Sequence, residues 1–320
     1  MGVSTRITRR NYSDYTIEEV FDVFKREKLA YGITQDTITN YHDSLMRFCQ
    51  TMKLNDPRVN QIGKSEILDF IYKLKDEEGI RETSINHYLR DLRAFFNWSY
   101  AEGYLLEKVP IKLIKLQETV KETYTDEELK KLLVQPVTDD YCEWRSWAVV
   151  NWILATANRE KTVCSIRMCD LNIPEKEIIL PHLKNKKAQI IPMSSELAIV
   201  LKIFIREFRS DAKDNDYLFC NIAGERLSEN ALKLSVRKYN KSREVDRTSI
   251  HALRHTFAKY WIRNNGDVFR LQRLLGHSSL DMTRVYVNLF SEDLKEGFDS
   301  FSPLDRMSKK TGVKHKIRRK

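Results

Sequence analysis

The chain has 320 residues, 42% of them hydrophobic and 31% charged, with a formal net charge of +10. That length accommodates two domains with separate cores, and the excess of Lys and Arg favours a polyanionic partner, because cations that neutralise phosphates release condensed counterions. No apolar run is long enough for a signal peptide or a membrane span, and the five scattered cysteines form no CxxC pair. A disulfide framework and a zinc site are therefore not expected, and a reducing, cytoplasmic setting is.

Thr16 and Glu19 form a capping-box pattern ahead of Val20, Phe21, Val23 and Phe24, which predicts a first helix. A second follows Gly32, with Ile38, Tyr41, Leu45, Phe48 and Met52 in steps of three and four. A third starts near Lys64 and carries Ile67, Leu68, Ile71 and Leu74. The fourth starts near Thr83, carries Ile85, Tyr88, Leu89, Leu92, Phe95 and Phe96, and stops at Gly103. Together they predict a four-helix bundle over residues 14–109, with its aromatic stripes as core. Residues 110–123 read as a linker.

A second capping box, Thr125 with Glu128, opens a domain expected to span residues 124–304. An apolar helix holding Trp144, Trp147, Trp152 and Leu154 belongs to its core. Two β-like runs, Glu177–Leu180 and Ala188–Met193, joined around Asn185, read as a hairpin. A helix resumes over Ser194–Phe208, Tyr217–Cys220 is a candidate third strand, and short helices follow Ser228. Residues 305–320 are a basic tail, expected to stay disordered until it meets an acidic partner. The expected fold class is mainly α, with a small antiparallel sheet in the second domain.

The most informative residues are His251, Arg254 and His255, then Gly276 and His277, then Tyr286 nine positions after His277. Taken singly, each is an ordinary packed or surface residue; their joint order and spacing give them meaning. An arginine fork can hold two oxygens of a phosphodiester, and a tyrosine can act as nucleophile when its proton is removed or its oxyanion stabilised. His251 and His255 are four apart, as in a paired metal site, but the intervening glutamate and a third ligand are missing, so no metal is expected and His255 reads as a helix-packing residue.

These residues resemble the tyrosine recombinase (phage integrase) family, whose signature is His-x-x-Arg, then Gly-His or Gly-Trp, then a tyrosine nine residues on. The segment Phe95–Tyr104 resembles the end of that family's SAM-like core-binding domain, so the resemblance runs from about residue 14 to about residue 300. The family's first arginine lies in a Thr-Gly-x-Arg-x-x-Glu pattern, matched here by Thr156 and Arg159, with Asp170 at the expected distance. Ala157 and Asn158 fill the stretch that usually holds glycine, and Thr162 stands where glutamate is usual; Arg167, the rival arginine, falls at a surface position of the pattern. The family's catalytic lysine lies eight residues before a strand proline, which selects Lys184 ahead of Pro192 over Lys186 and Lys187, the alternative being that all three are solvated turn lysines.

The resemblance implies a site-specific recombinase that cleaves and rejoins double-stranded DNA through a 3′-phosphotyrosine at Tyr286, without cofactor or metal. It implies that Arg159 and Arg254 clamp the phosphate, that Lys184 protonates the leaving 5′-oxygen, that His251 assists proton transfer, and that His277 contacts the phosphate or positions the tyrosine. Two domains would clamp the duplex, and four protomers would act on two sites as a homo-tetramer. The apolar stretch Ser291–Leu304, with Leu294, Phe298, Phe301 and Leu304, would dock on a neighbouring protomer or pack within its own. The few residues ahead of the first helix leave no room for a separate arm-binding domain, so the expectation is a simple Xer- or Cre-like member, with Arg6, Arg9 and Arg10 available to phosphates. A type IB topoisomerase and a DNA-binding relative without catalysis are the alternatives.

Overall fold

The computed structural model describes residues 15–116, 122–180, 189–277, 279–290 and 304. Lys184, Lys186, Lys187, Arg6, Arg9, Arg10, the 305–320 tail and, apart from Leu304, the Ser291–Leu304 stretch lie outside the described residues. The chain divides into two compact units, residues 1–118 and 119–320.

The first unit is built from α1 (Ile17–Ala30), α2 (Gln35–Met52), α3 (Lys64–Tyr72) and α4 (Glu82–Ala101). The capping box forms as the pattern predicts: Thr16 N–H donates to Glu19 Oε2 at 2.8 Å, and Glu19 N–H donates to Thr16 Oγ1 at 3.2 Å. Phe24, Phe48, Phe70, Phe95 and Phe96 are fully buried where the four apolar stripes meet, and each stabilises the bundle by about 1.5–3 kcal/mol. Asn86, buried on α4, holds the exit segment: its amide donates to Ile114 O and accepts from Ile114 N–H, both at 2.8 Å.

The second unit contains α5 (Asp126–Leu133), α6 (Tyr141–Thr156), α7 (Glu160–Val163), α8 (Ser195–Phe208), α9 (Glu229–Ser242), α10 (Ile250–Arg263), α11 (Val268–Leu275) and α12 (Asp281–Phe290). α6 is buried around most of its circumference, with Trp144, Trp147, Val149, Val150, Trp152 and Ile153 in the core; it is the central helix against which α5, α8, α9 and α10 pack. It ends at Ala157, whose φ of 52° is left-handed, a conformation that glycine adopts more easily. Trp152 Nε1 donates to Asn158 Oδ1 at 3.0 Å, which fastens the turn that follows.

β1 (Leu171–Asn172), β2 (Glu177–Leu180) and β3 (Gln189–Pro192) form an antiparallel sheet in the order β1-β2-β3. Ile178 pairs with Ile191 and Leu180 with Gln189. Ile178, Leu180 and Ile191 face the core. The third strand is thus Leu171–Asn172 and not Tyr217–Cys220. Tyr217 and Cys220 make only isolated bridges, to Arg167 and Arg226, and Leu218 N–H donates to Ile166 O. The successive residues Leu218 and Phe219 are both fully buried, so the segment threads through the core, whereas a half-buried strand alternates.

Candidate active site

α10, α11 and α12 present the motif residues, and the C-terminal ends of α6 and α11 hold them. Ser249 caps α10 by accepting from Ala252 N–H, and buried Tyr124 donates its hydroxyl to the carbonyls of Arg247 and Ser249 at 3.1 and 3.2 Å, which fixes the start of that helix. α10 packs on α6, α11 and α12, so residues distant in sequence converge.

Arg254 is 6% exposed. Its Nη1 donates to the carbonyl of Ala157, just beyond α6, and its Nη2 donates to the carbonyl of Leu275, the last residue of α11, at 2.5 Å. Such carbonyls lack a partner within their own helix and carry the negative end of the helix dipole, so they suit a buried guanidinium. Arg159, half-buried, donates from Nη2 to the carbonyl of Gly276 at 3.2 Å. Gly276 closes α11 with φ +58°, and a Cβ there would stand 3.2 Å from Arg159 Nη1. The glycine is needed both for its left-handed backbone and for the approach of the arginine.

The two arginines are close enough to repel. Burial, and then the charge of Arg159, hold the Arg254 guanidinium below its usual range, down to about 10, which leaves it charged at neutral pH. Crowded cations held by backbone carbonyls make a site that an oxyanion would stabilise.

His277 accepts at Nε2 from Arg254 Nη2 across 3.2 Å, and its Nδ1 lies 2.9 Å from Oγ1 of fully buried Thr283 on α12. Its ring stacks on that of Tyr286, with planes 14° apart and centroids separated by 6.1 Å. Tyr286 itself is 2% exposed, in a small cluster with Ala157, Ala258, Leu271 and Leu275. Burial raises its phenol pKa above the usual value, while the charges of Arg254 and Arg159 and a hydrogen bond from Arg254 oppose the rise without cancelling it.

Arg159, Arg254, His277 and Tyr286 are thus brought together. His251 sits on the same helix as Arg254 but is exposed, and its Nε2 lies 3.5 Å from Glu160 Oε1. Lys184 lies outside the described residues, although the base of its hairpin is anchored close by: Gln189 Nε2 donates to Arg273 O on α11 at 3.1 Å. Arg167 is elsewhere, its guanidinium over the Tyr217 ring and its N–H donating to Asp170 Oδ2 at 2.8 Å. Asp170 therefore shapes a turn.

Beside Thr283, sequence reasoning missed His255 and Glu160. His255, expected only to pack its helix, has its Nδ1 2.8 Å from the Tyr286 hydroxyl. Glu160, directly after Arg159, is buried between His251 and Lys233, whose Nζ lies 4.0 Å from its Oε1. It supplies a carboxylate in the region where Thr162 replaces the usual glutamate. Its position next to Arg159 was the available signal.

Comparison with known proteins identifies the family. Residues 122–293 match the model of the phage integrase family, and residues 27–103 match that of the phage integrase N-terminal SAM-like domain. The chain is 28% identical to tyrosine recombinase XerC of Thermodesulfovibrio yellowstonii over 289 residues, covering 87% of this chain and 94% of the relative. Among solved structures it is similar to the Tn1549 transposon integrase in complex with transposon right-end DNA, with a TM-score of 0.71 and 21% identity over 92% of this chain and all of that one. It is also similar to a lambda integrase tetramer bound to a Holliday junction, with a TM-score of 0.64 and 19% identity over 83% of this chain and 78% of that one.

Proposed function

The chain belongs to the phage integrase family, and we propose that its chemistry is carried out by the arginine-lined tyrosine of the second unit. It is a tyrosine recombinase, a DNA strand transferase that cleaves and rejoins duplex DNA site-specifically through a 3′-phosphotyrosine. The observation that carries the residue assignment is the convergence of Arg159, Arg254 and His277 on the phenol of Tyr286.

In this assignment Tyr286 attacks the scissile phosphorus and the P–O5′ bond breaks. The free 5′-hydroxyl of a partner strand later displaces the phenolate, so the phosphotyrosine conserves the bond energy and nothing else need be consumed. Arg159 and Arg254, held from behind by the carbonyls of Gly276, Ala157 and Leu275, present their remaining donors to the non-bridging oxygens, where charge grows in the transition state. His277, oriented by Thr283, positions the phosphate and the phenol ring. Lys184 protonates the leaving 5′-oxygen, and His251, beside Glu160, assists proton transfer. Residues 124–304 are the catalytic domain and residues 14–109 the core-binding domain, joined by 110–123. Four protomers assemble on two sites, a stoichiometry that the similar lambda integrase tetramer on a Holliday junction supports, and Ser291–Leu304 is the segment that would dock between them.

A two-site recombination assay run beside relaxation of a supercoiled plasmid tests the reading. Recombinant product that requires both sites is expected. Relaxation of plasmids lacking any site, with no recombinant product, would instead make this a topoisomerase-like enzyme.

A further inference from the structure

A buried phenol that must attack phosphorus has to lose its proton, and none of the contacts described for the motif residues brings an acceptor atom to its hydroxyl. Arginine has no acceptor atom, so Arg159 and Arg254 stabilise the phenolate but cannot take the proton. His277 lies nearly parallel to the Tyr286 ring and offset from it, with Nε2 on Arg254 and Nδ1 beside Thr283. His251 is directed to Glu160. His255, in contrast, meets Tyr286 with a ring nitrogen: Nδ1 is 2.8 Å from the hydroxyl, with the rings inclined at 51° and their centroids 5.5 Å apart. It follows Arg254 directly on α10, and the packing of α10 on α12 holds the pair together.

We propose that His255 is the general base for Tyr286, an inference that rests on Tyr286 being the nucleophile. In the resting site the phenol O–H donates to Nδ1 of a neutral imidazole whose hydrogen is on Nε2. As the phenolic oxygen bonds to phosphorus and the P–O5′ bond breaks, the phenolic proton passes to Nδ1; the leaving 5′-oxygen takes a separate proton from the general acid. On rejoining, the incoming 5′-hydroxyl bonds to phosphorus, the bond from phosphorus to the phenolic oxygen breaks, and His255 returns its proton to Tyr286. A phenol, with an ordinary pKa of about 10, holds its proton near neutrality, and burial pushes Tyr286 further in the same direction, so attack calls for an acceptor at the hydroxyl, where Nδ1 of His255 stands.

The test is single-turnover cleavage of a nicked recombination site at neutral pH. His255→Asn keeps a hydrogen-bonding atom near the phenol but cannot take its proton. It is expected to bind the site normally and to form the covalent adduct about 100-fold more slowly, the lower end of what general base catalysis contributes. Replacing Tyr286 by 3,5-difluorotyrosine, a more acidic phenol, should recover most of that loss in His255→Asn while changing the parent enzyme little. Free imidazole should likewise restore His255→Ala in a saturable manner. Adduct formation by His255→Asn within about threefold of the parent rate, or a defect that neither the acidic phenol nor imidazole relieves, overturns the proposal and makes His255 a packing residue. Tyr286→Phe, run alongside, separates the failures: an adduct from that variant removes the nucleophile assignment and the base with it, whereas its loss beside an active His255→Asn removes the base alone.

Discussion

Arg254 donates to Nε2 of His277 across 3.2 Å, and because a guanidinium cannot accept, this contact fixes which imidazole nitrogen carries the hydrogen. Nδ1 is then the donor, to Oγ1 of Thr283 at 2.9 Å. A chain of directed bonds thus runs from α10 through the Gly276–His277 turn to α12, and it places the imidazole nearly parallel to the Tyr286 ring.

Thr283→Val keeps the shape of the buried side chain and removes the acceptor. The lost bond is worth about 1 kcal/mol, so strand cleavage is expected to fall roughly fivefold with site binding unchanged. Thr283→Ser should cleave at nearly the parent rate. Single-turnover adduct formation measures both, and equal loss in the two variants would mean that the methyl group matters and the hydroxyl does not.

Gly276→Ala combines a left-handed backbone with a crowded arginine. The backbone alone costs about 1–2 kcal/mol. Gly32→Ala serves as the control, since Gly32 has φ +81° and a Cβ added there would meet nothing within 4 Å. Chemical denaturation should show comparable destabilisation of the two variants. Cleavage should drop roughly tenfold or more in Gly276→Ala only, part of the cost of losing a transition-state donor.

The charges of Arg159 and Arg254 repel, so an oxyanion that binds between them is expected to relieve the repulsion. Sulfate at about a hundred times its Kd is expected to stabilise the second unit by about 2.7 kcal/mol, which is roughly 5–10 °C in Tm for a unit of this size. Sodium chloride at matched ionic strength controls for screening, and Arg159→Ala controls for the general exclusion of sulfate from protein surfaces. A rise in Tm of the same size in Arg159→Ala would show that sulfate acts elsewhere.

The elements set by local pattern were legible in the sequence. Both capping boxes formed, at Thr16 with Glu19 and at Thr125 with Glu128, because three-residue spacing alone brings those groups together. The tryptophans of α6 and the strand Glu177–Leu180 followed from periodicity in the same way. Non-local contacts were not legible. Leu171–Asn172 is too short to show alternation, while the apolar run at Tyr217–Cys220 imitates a strand because the core encloses Leu218, Phe219 and Cys220. In the site, spacing singled out Arg254, His277 and Tyr286, and adjacency to Arg159 was the one signal for Glu160, but the contacts of His255 and Thr283 depend on how α10 and the Gly276–His277 turn meet α12, which no spacing encodes.

Lys184 as general acid is tested by changing the leaving group. The conjugate acid of an alkoxide has a pKa near that of water, about 15.7, whereas a thiol's is about 8.5. With sulfur in place of the bridging 5′-oxygen, Lys184→Ala should therefore cleave at close to the parent rate after being badly impaired on normal DNA. Arg254→Ala should stay defective on both substrates, because the non-bridging oxygens are unchanged. Rescue of Lys186→Ala or Lys187→Ala instead would move the acid to that neighbour.

The most direct test of the central claim is the covalent adduct itself. Incubated with a nicked recombination site and quenched in denaturant, the parent enzyme should yield a protein–DNA species whose single modified peptide carries the 3′-phosphate on Tyr286. Tyr286→Phe should bind the same DNA and yield none. An adduct of parental amount from Tyr286→Phe, or a parent adduct mapped to any other residue, would contradict the assignment of Tyr286 as the nucleophile.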